Sequence, residues 1–192
     1  MENSFFSLIF RQKYIKRWGL MRSEHEETLA EHSSEVAIIS HALASISNEI
    51  YGKNVDIGKV VTLALFHDVT EVYTGDLPTP IKYYSPAMRS IYAKIESEAV
   101  ENLIDHLPDE LKAAYRPIID PKDEPLYRYV KAADKICAYI KCVEEEKGGN
   151  LEFSSAKIAT LDQINALEMP EVAYFMEKLL PPFFLSLDDM QK

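Results

Sequence analysis

Leu63-Ala64-Leu65-Phe66-His67-Asp68-Val69-Thr70-Glu71, followed by Tyr73-Thr74-Gly75-Asp76-Leu77-Pro78-Thr79-Pro80, reads as an apolar helix that runs into polar chemistry. Asp56 suits its N-cap, and Ile57, Val60, Val61 and Ala64 share a face that, continued, reaches His67, Asp68 and Glu71. Gly75 suits a left-handed C-cap, and the prolines on either side of Thr79 favour an extended, stiff loop able to shape a pocket. Burying an imidazole and two carboxylates without partners costs several kcal/mol per ion, so the face calls for a metal or a hydrogen-bond network. Alone, the doublet also reads as a helix end with one satisfied histidine.

The flanking segments add to it. Leu29, His32, Val36, Ile39, Leu43, Ile46 and Ile50 recur in steps of three and four, which predicts a helix capped near Thr28 with His32 inside its buried stripe. His25 and His41 fall off that stripe and are expected at the surface. Ser4 to Trp18 reads as a first amphipathic helix with a basic face, ending at Arg17-Trp18. A guanidinium beside an indole can grip a phosphate and a planar ring, or can be a surface arginine next to a packed tryptophan. A long helix is expected from Ser85 or Pro86 to near His106, a surface histidine, and a shorter one started by Pro108, from Leu111 to about Ile119 and bounded by Pro117 and Pro121. The next begins near Asp123 or Pro125 and closes at Gly148-Gly149-Asn150. Asp134 lies at the edge of its apolar face, where a metal bond or an ion pair with Lys131 or Lys135 must offset its burial.

With 192 residues, 47% hydrophobic and 27% charged, the chain suits one globular domain, and only six glycines argue for helices rather than strands and turns. A net charge of −10 disfavours duplex nucleic acid and anionic membranes, yet leaves room for a small phosphate ester bound through a cation or placed arginines. Cys137 and Cys142, five apart in one expected helix, read as reduced core thiols. The apolar patch Phe5-Phe6-Ser7-Leu8-Ile9-Phe10 is short and has neither a basic lead nor a cleavage site, and no run reaches membrane-spanning length, so a cytoplasmic location is expected. Glycine-rich phosphate loops, nucleophile elbows and CxxC pairs do not occur. What remains is His32, His67, Asp68 and Asp134, two nitrogen and two oxygen donors of the kind that borderline divalent ions such as manganese, cobalt, zinc, iron or nickel accept.

This order of H, then HD, then D on separate helices resembles the HD-domain superfamily of metal-dependent phosphohydrolases. Arg17-Trp18, Ala30-Glu31-His32-Ser33, Phe66-His67-Asp68-Val69-Thr70-Glu71, Thr74 to Pro80, and Lys131-Ala132-Ala133-Asp134 together resemble the bacterial 5'-deoxynucleotidases of the YfbR type, over nearly the whole chain. The resemblance implies an all-α HD-domain helical bundle over residues 1–192, with a metal-site core at about 28–145 and C-terminal helices at about 151–192. It implies one divalent cation (cobalt, manganese, zinc or similar) on His32, His67, Asp68 and Asp134, with Glu71 as the acid-base or water-positioning carboxylate. It further implies that Arg17 orients the phosphate, that Trp18 lies against the sugar, that Asp76, Leu77, Pro78 and Thr79 line the nucleoside side, and that Asp68 and Asp134 also face the substrate. The implied activity is hydrolysis of deoxynucleoside 5'-monophosphates by a homodimer. Cyclic-nucleotide phosphodiesterases and alarmone hydrolases share the bare HD pattern, and a non-catalytic metal-binding helical module is a further alternative.

Overall fold

The computed structural model describes residues 3–82, 84–121 and 124–191, and among them only helices, turns and one isolated bridge occur. The helices are α1 (Phe5–Ile9), α2 (Leu29–Glu49), α3 (Ile57–Phe66), α4 (Glu71–Thr74), α5 (Thr79–Lys82), α6 (Pro86–Asp105), α7 (Asp109–Ile119), α8 (Tyr127–Lys147), α9 (Ser154–Asn165), α10 (Pro170–Lys178) and α11 (Leu187–Met190). Short 3-10 turns sit at Phe10–Tyr14, Leu151–Phe153 and Pro181–Phe184. The all-α fold is the expected one. None of the described helices is long and apolar enough to cross a membrane.

The chain divides into two compact units, the first comprising Met1–Arg22, Glu26–Ser34 and Leu65–Glu124. Phe5, Val69, Val100, Leu103, Ile104, Leu107 and Ile119 form its apolar centre, with Phe66 and Tyr115 packed against it. Phe5 meets Tyr115 edge-on at 5.1 Å. His106, expected at the surface, is instead half-buried. Its Nδ1 lies 2.8 Å from Ser4 Oγ and its carbonyl accepts from Phe5 N, so the end of α6 finds a partner in the N-terminal segment. Pro117, expected as a boundary, lies inside α7.

The first helix is shorter than its pattern predicts. After α1 the chain tightens into the turn at Phe10–Tyr14, and Ile15 takes an extended conformation. Lys16 and Thr28 then form an antiparallel bridge, with Arg17 N donating to Glu27 O and Leu29 N to Ile15 O, both at 2.9 Å. Backbone pairing with the segment before α2 therefore replaces the last helical turn and carries Arg17 and Trp18 beside Glu27. Thr28 caps α2 with a reciprocal pair: Thr28 N donates to Glu31 Oε2 at 2.8 Å and Glu31 N to Thr28 Oγ1 at 3.3 Å.

Asp56 caps α3 as expected, accepting from Lys59 N at 2.9 Å. The helix does not continue through Glu71. From Phe66 onward the bonds run Val69 N to Phe66 O, Glu71 N to Asp68 O and Val72 N to Val69 O, a three-residue spacing tighter than the α-helix, before the short α4. This tightening leaves His67 and Asp68 on a turn between two helices. Gly75 has positive φ (68°), but its ψ of 168° is not left-handed helical. Nor is the proline segment extended. The Pro78 carbonyl accepts from Ile81 N and Lys82 N, which coils Thr79–Lys82 into α5 and brings Lys82 back toward Glu71.

The second unit comprises Ser23–His25, Glu35–Ala64 and Pro125–Lys192, and its core includes Val36, Leu43, Val60, Leu63, Tyr129, Ala133, Ile136 and Ile140. The stripe on α2 is buried as predicted except at Ile50, which is 51% exposed at the helix end. His25 and His41 are exposed, and Cys137 and Cys142 are buried free thiols. α8 begins at Tyr127; Asp123, one of the two expected starts, lies outside the described residues.

Candidate metal and phosphate site

The first unit contains the expected site residues Arg17, Trp18, His32, His67, Asp68, Glu71, Asp76, Leu77, Pro78 and Thr79. His67 Nε2 lies 3.1 Å from Asp68 Oδ2 and His32 Nε2 lies 3.9 Å from the same oxygen. The two imidazole rings are 5.4 Å apart, and ligand atoms from His32, His67 and Asp68 all fall within 4.8 Å of one another. These separations suit donors sharing one ion through bonds of about 2 Å, and two nitrogens with a carboxylate oxygen are a borderline divalent donor set. The residues fit a metal. Asp134, the fourth expected ligand, is half-buried on α8 in the second unit, next to buried Ala133.

Arg17 Nη1 lies 3.6 Å from Asp68 Oδ2, so the cationic group stands beside the donor cluster. Burial acts to raise the pKa of Asp68, but His67 beside it, with His32 and Arg17, holds the carboxyl well below its usual range. Its carboxylate is therefore held in the anionic form that a metal ligand needs.

The arrangement also rests on a residue outside the expected set, Glu27. Glu27 Oε1 lies 3.0 Å from His32 Nδ1 and 3.3 Å from Arg17 Nε, while Trp18 Nε1 donates to Glu27 Oε2 at 2.8 Å. Burial pushes the Glu27 carboxyl up, yet His32, Arg17 and Trp18 together hold it below its ordinary value. The one available signal was its place directly before the α2 cap. Trp18 itself has φ of 61°, a strained setting for any residue but glycine, and its backbone N donates to Asp76 Oδ2 at 3.2 Å.

Glu71 is buried at the start of α4, with Lys82 Nζ 3.4 Å from its Oε1 and no hydrogen-bond partner at its Oε2 among the described residues. Burial, then the negative charge of Asp68 and of Asp76, push its pKa up to about 8 against the opposing pull of Lys82. Lys82 was also missed by sequence reading. It lies 4.7 Å from the Tyr92 ring centre and 3.9 Å from Glu96, and these groups with Glu71 hold its ammonium charged in spite of burial. Tyr73, Leu77, Ile81, Ile91 and Tyr92 line an adjoining apolar groove of about 410 Å³. Leu77 thus faces a cavity, and Pro78 starts the coil of α5. The Thr79 side chain lies outside the described residues.

Known structures share this architecture. The fold is similar to an HD-domain phosphohydrolase of Listeria innocua, with a TM-score of 0.83 at 24% identity, covering 98% of this chain and 92% of that one. It is also similar to the cyanophage S-2L HD phosphohydrolase, solved bound to dA and one catalytic Zn2+ ion, with a TM-score of 0.66 at 17% identity over 93% and 97% of the two chains. The class of the fold is that of the HD-domain phosphohydrolases. Within it, the family described as 5'-deoxynucleotidase YfbR-like matches residues 4–183, and a 5'-deoxynucleotidase of Vibrio vulnificus is 44% identical over 191 residues, 98% of each chain. The chain belongs to the 5'-deoxynucleotidase YfbR-like family.

Proposed function

We propose that this protein hydrolyses 2'-deoxyribonucleoside 5'-monophosphates to deoxynucleoside and inorganic phosphate, using one divalent cation held by His32, His67, Asp68 and Asp134. The observation that carries the reading is the convergence, in a member of this family, of a three-donor cluster with the guanidinium of Arg17 3.6 Å from its carboxylate. The first three ligands rest on this geometry. Asp134 is included on the match of Lys131-Ala132-Ala133-Asp134 to the family motif.

When bound, the cation polarises the phosphoryl oxygens and lowers the pKa of a coordinated water. Arg17 neutralises charge on the equatorial oxygens, which matters because phosphoryl transfer is governed by positioning and electrostatics. Glu71 positions the attacking water and takes its proton. A new P–O bond forms to water as the bond to the ester oxygen breaks in line with it, and the proton that Glu71 takes from the water passes to the departing O5'. Trp18 lies against the sugar, and Asp76, Leu77, Pro78 and Thr79 face the nucleoside. Asp76 already holds the Trp18 backbone, which ties the two sides together.

A panel of deoxynucleoside and ribonucleoside monophosphates, cyclic nucleotides and alarmones, assayed with cobalt, manganese or zinc, tests the reading. Phosphate release from the deoxynucleotides is expected. Turnover confined to cyclic nucleotides or alarmones would overturn it. The same reading includes a homodimer, which light scattering on the eluting protein checks.

A further inference from the structure

We propose that Glu27 is the positioning residue of this site: a single carboxylate that sets the imidazole of His32, the guanidinium of Arg17 and the indole of Trp18 together, and so couples metal affinity to sugar discrimination. The roles of those three groups rest on the function proposed above. The contacts themselves do not.

The geometry is specific. One oxygen of Glu27 faces His32 Nδ1 and Arg17 Nε, and the other accepts from the indole of Trp18. The Glu27 carbonyl also accepts from Arg17 N, so backbone and side chain of one residue place both neighbours. Facing a carboxylate with Nδ1 keeps the proton on that nitrogen and leaves Nε2, the atom nearer Asp68, as the lone-pair donor. Two of the three groups around the Glu27 carboxylate are buried or nearly so: His32 is 0% exposed and the side chain of Arg17 12%, while Trp18 is half-buried. Water is therefore a poor substitute for the contacts to His32 and Arg17 if the carboxylate is lost. A purely structural ion pair would need only one cation; this carboxylate spans a donor imidazole, a phosphate-binding cation and the ring beside the sugar.

Measurements on the folded protein and its Glu27→Gln variant test the idea. Gln keeps the shape and loses the charge. Zinc affinity measured by competition with a chelator, without substrate, should fall by about 10 to 100-fold, as loss of a group supporting a ligating histidine commonly gives. Emission from Trp18, the sole tryptophan of the chain, should shift as its ring is released. In turnover, the ratio of kcat/KM for deoxyribonucleotides over ribonucleotides should fall, and Glu27→Asp, which keeps the charge on a shorter stem, should recover part of the zinc affinity. Unchanged zinc affinity and Trp18 emission in folded Glu27→Gln would overturn the proposal. Were that variant not to fold, nitrogen-15 spectra of the zinc-loaded wild-type protein decide: His32 should carry its proton on Nδ1, and a bare Nδ1 would overturn it. Zinc affinity, emission and tautomer are independent of which phosphate ester is the substrate, so the two readings fail separately.

Discussion

Lys82 Nζ lies 3.4 Å from Glu71 Oε1, an ion-pair distance between a short helix made from the proline segment and the carboxylate expected to serve the attacking water. Glu71 is nevertheless pushed up to about 8, because burial and the charges of Asp68 and Asp76 outweigh Lys82. A group bound more tightly to its proton in the folded state contributes stability below its unfolded pKa, near 4.5, and that contribution is lost as pH rises through about 8. The metal-free protein should accordingly lose melting temperature between pH 5 and pH 9. Glu71→Gln, fixed in the neutral form, should lose less. Parallel melting curves for the two proteins would show that Glu71 titrates elsewhere.

Turnover separates Glu71 from the ligands. The Glu71→Gln protein should bind zinc and substrate as the wild type does and lose about 10² to 10⁴ in kcat, the usual cost of removing a positioned acid-base group. Asp68→Ala should instead lose the ion itself. Zinc retained stoichiometrically by Asp68→Ala through gel filtration would show the ligand assignment to be wrong.

Asp134→Ala probes the fourth ligand. Its zinc affinity in a chelator competition should fall below that of the wild type, whereas an aspartate that only pairs with Lys131 or Lys135 would leave affinity unchanged and lower thermal stability alone.

Trp18 makes two separable contributions. Trp18→Ala should admit ribonucleotides more than it weakens deoxynucleotide turnover, since a rigid ring beside the sugar excludes the 2'-hydroxyl sterically, and an apolar pocket without a clash discriminates by only about 10²-fold. Equal losses on both sugars would mean that the ring merely packs. Because φ at this position is 61°, Trp18→Gly should be more stable than Trp18→Ala by about 1 kcal/mol in urea unfolding, a reversal of the usual order for these two residues.

The cap of α2 is a stability site near the chemistry. Thr28→Ala removes the acceptor for Glu31 N and the hydroxyl donor to Glu31, and should cost about 1 kcal/mol of unfolding free energy. An unchanged urea midpoint would place the helix start elsewhere.

Local patterning was enough for the helical class, for α2 with His32 in its buried stripe, for the Asp56 cap, for the start of α6 at Ser85-Pro86, and for the His67-Asp68 doublet, because periodicity and capping act over one or two turns. It carried too far at Ile15 and at His67. At Ile15, pairing with residues 27–29 displaced a helix that the apolar spacing favoured, and after Phe66 a change to three-residue hydrogen bonds put the doublet on a turn. Glu27 and Lys82 were invisible for the same physical reason. Their roles come from groups brought to them through space by a bridge and by a coil after Pro78, and a charged residue in a polar segment looks alike whether it meets solvent or a buried imidazole. The residue types of the site were thus set by the sequence, and tertiary structure decided which carboxylate holds them in place.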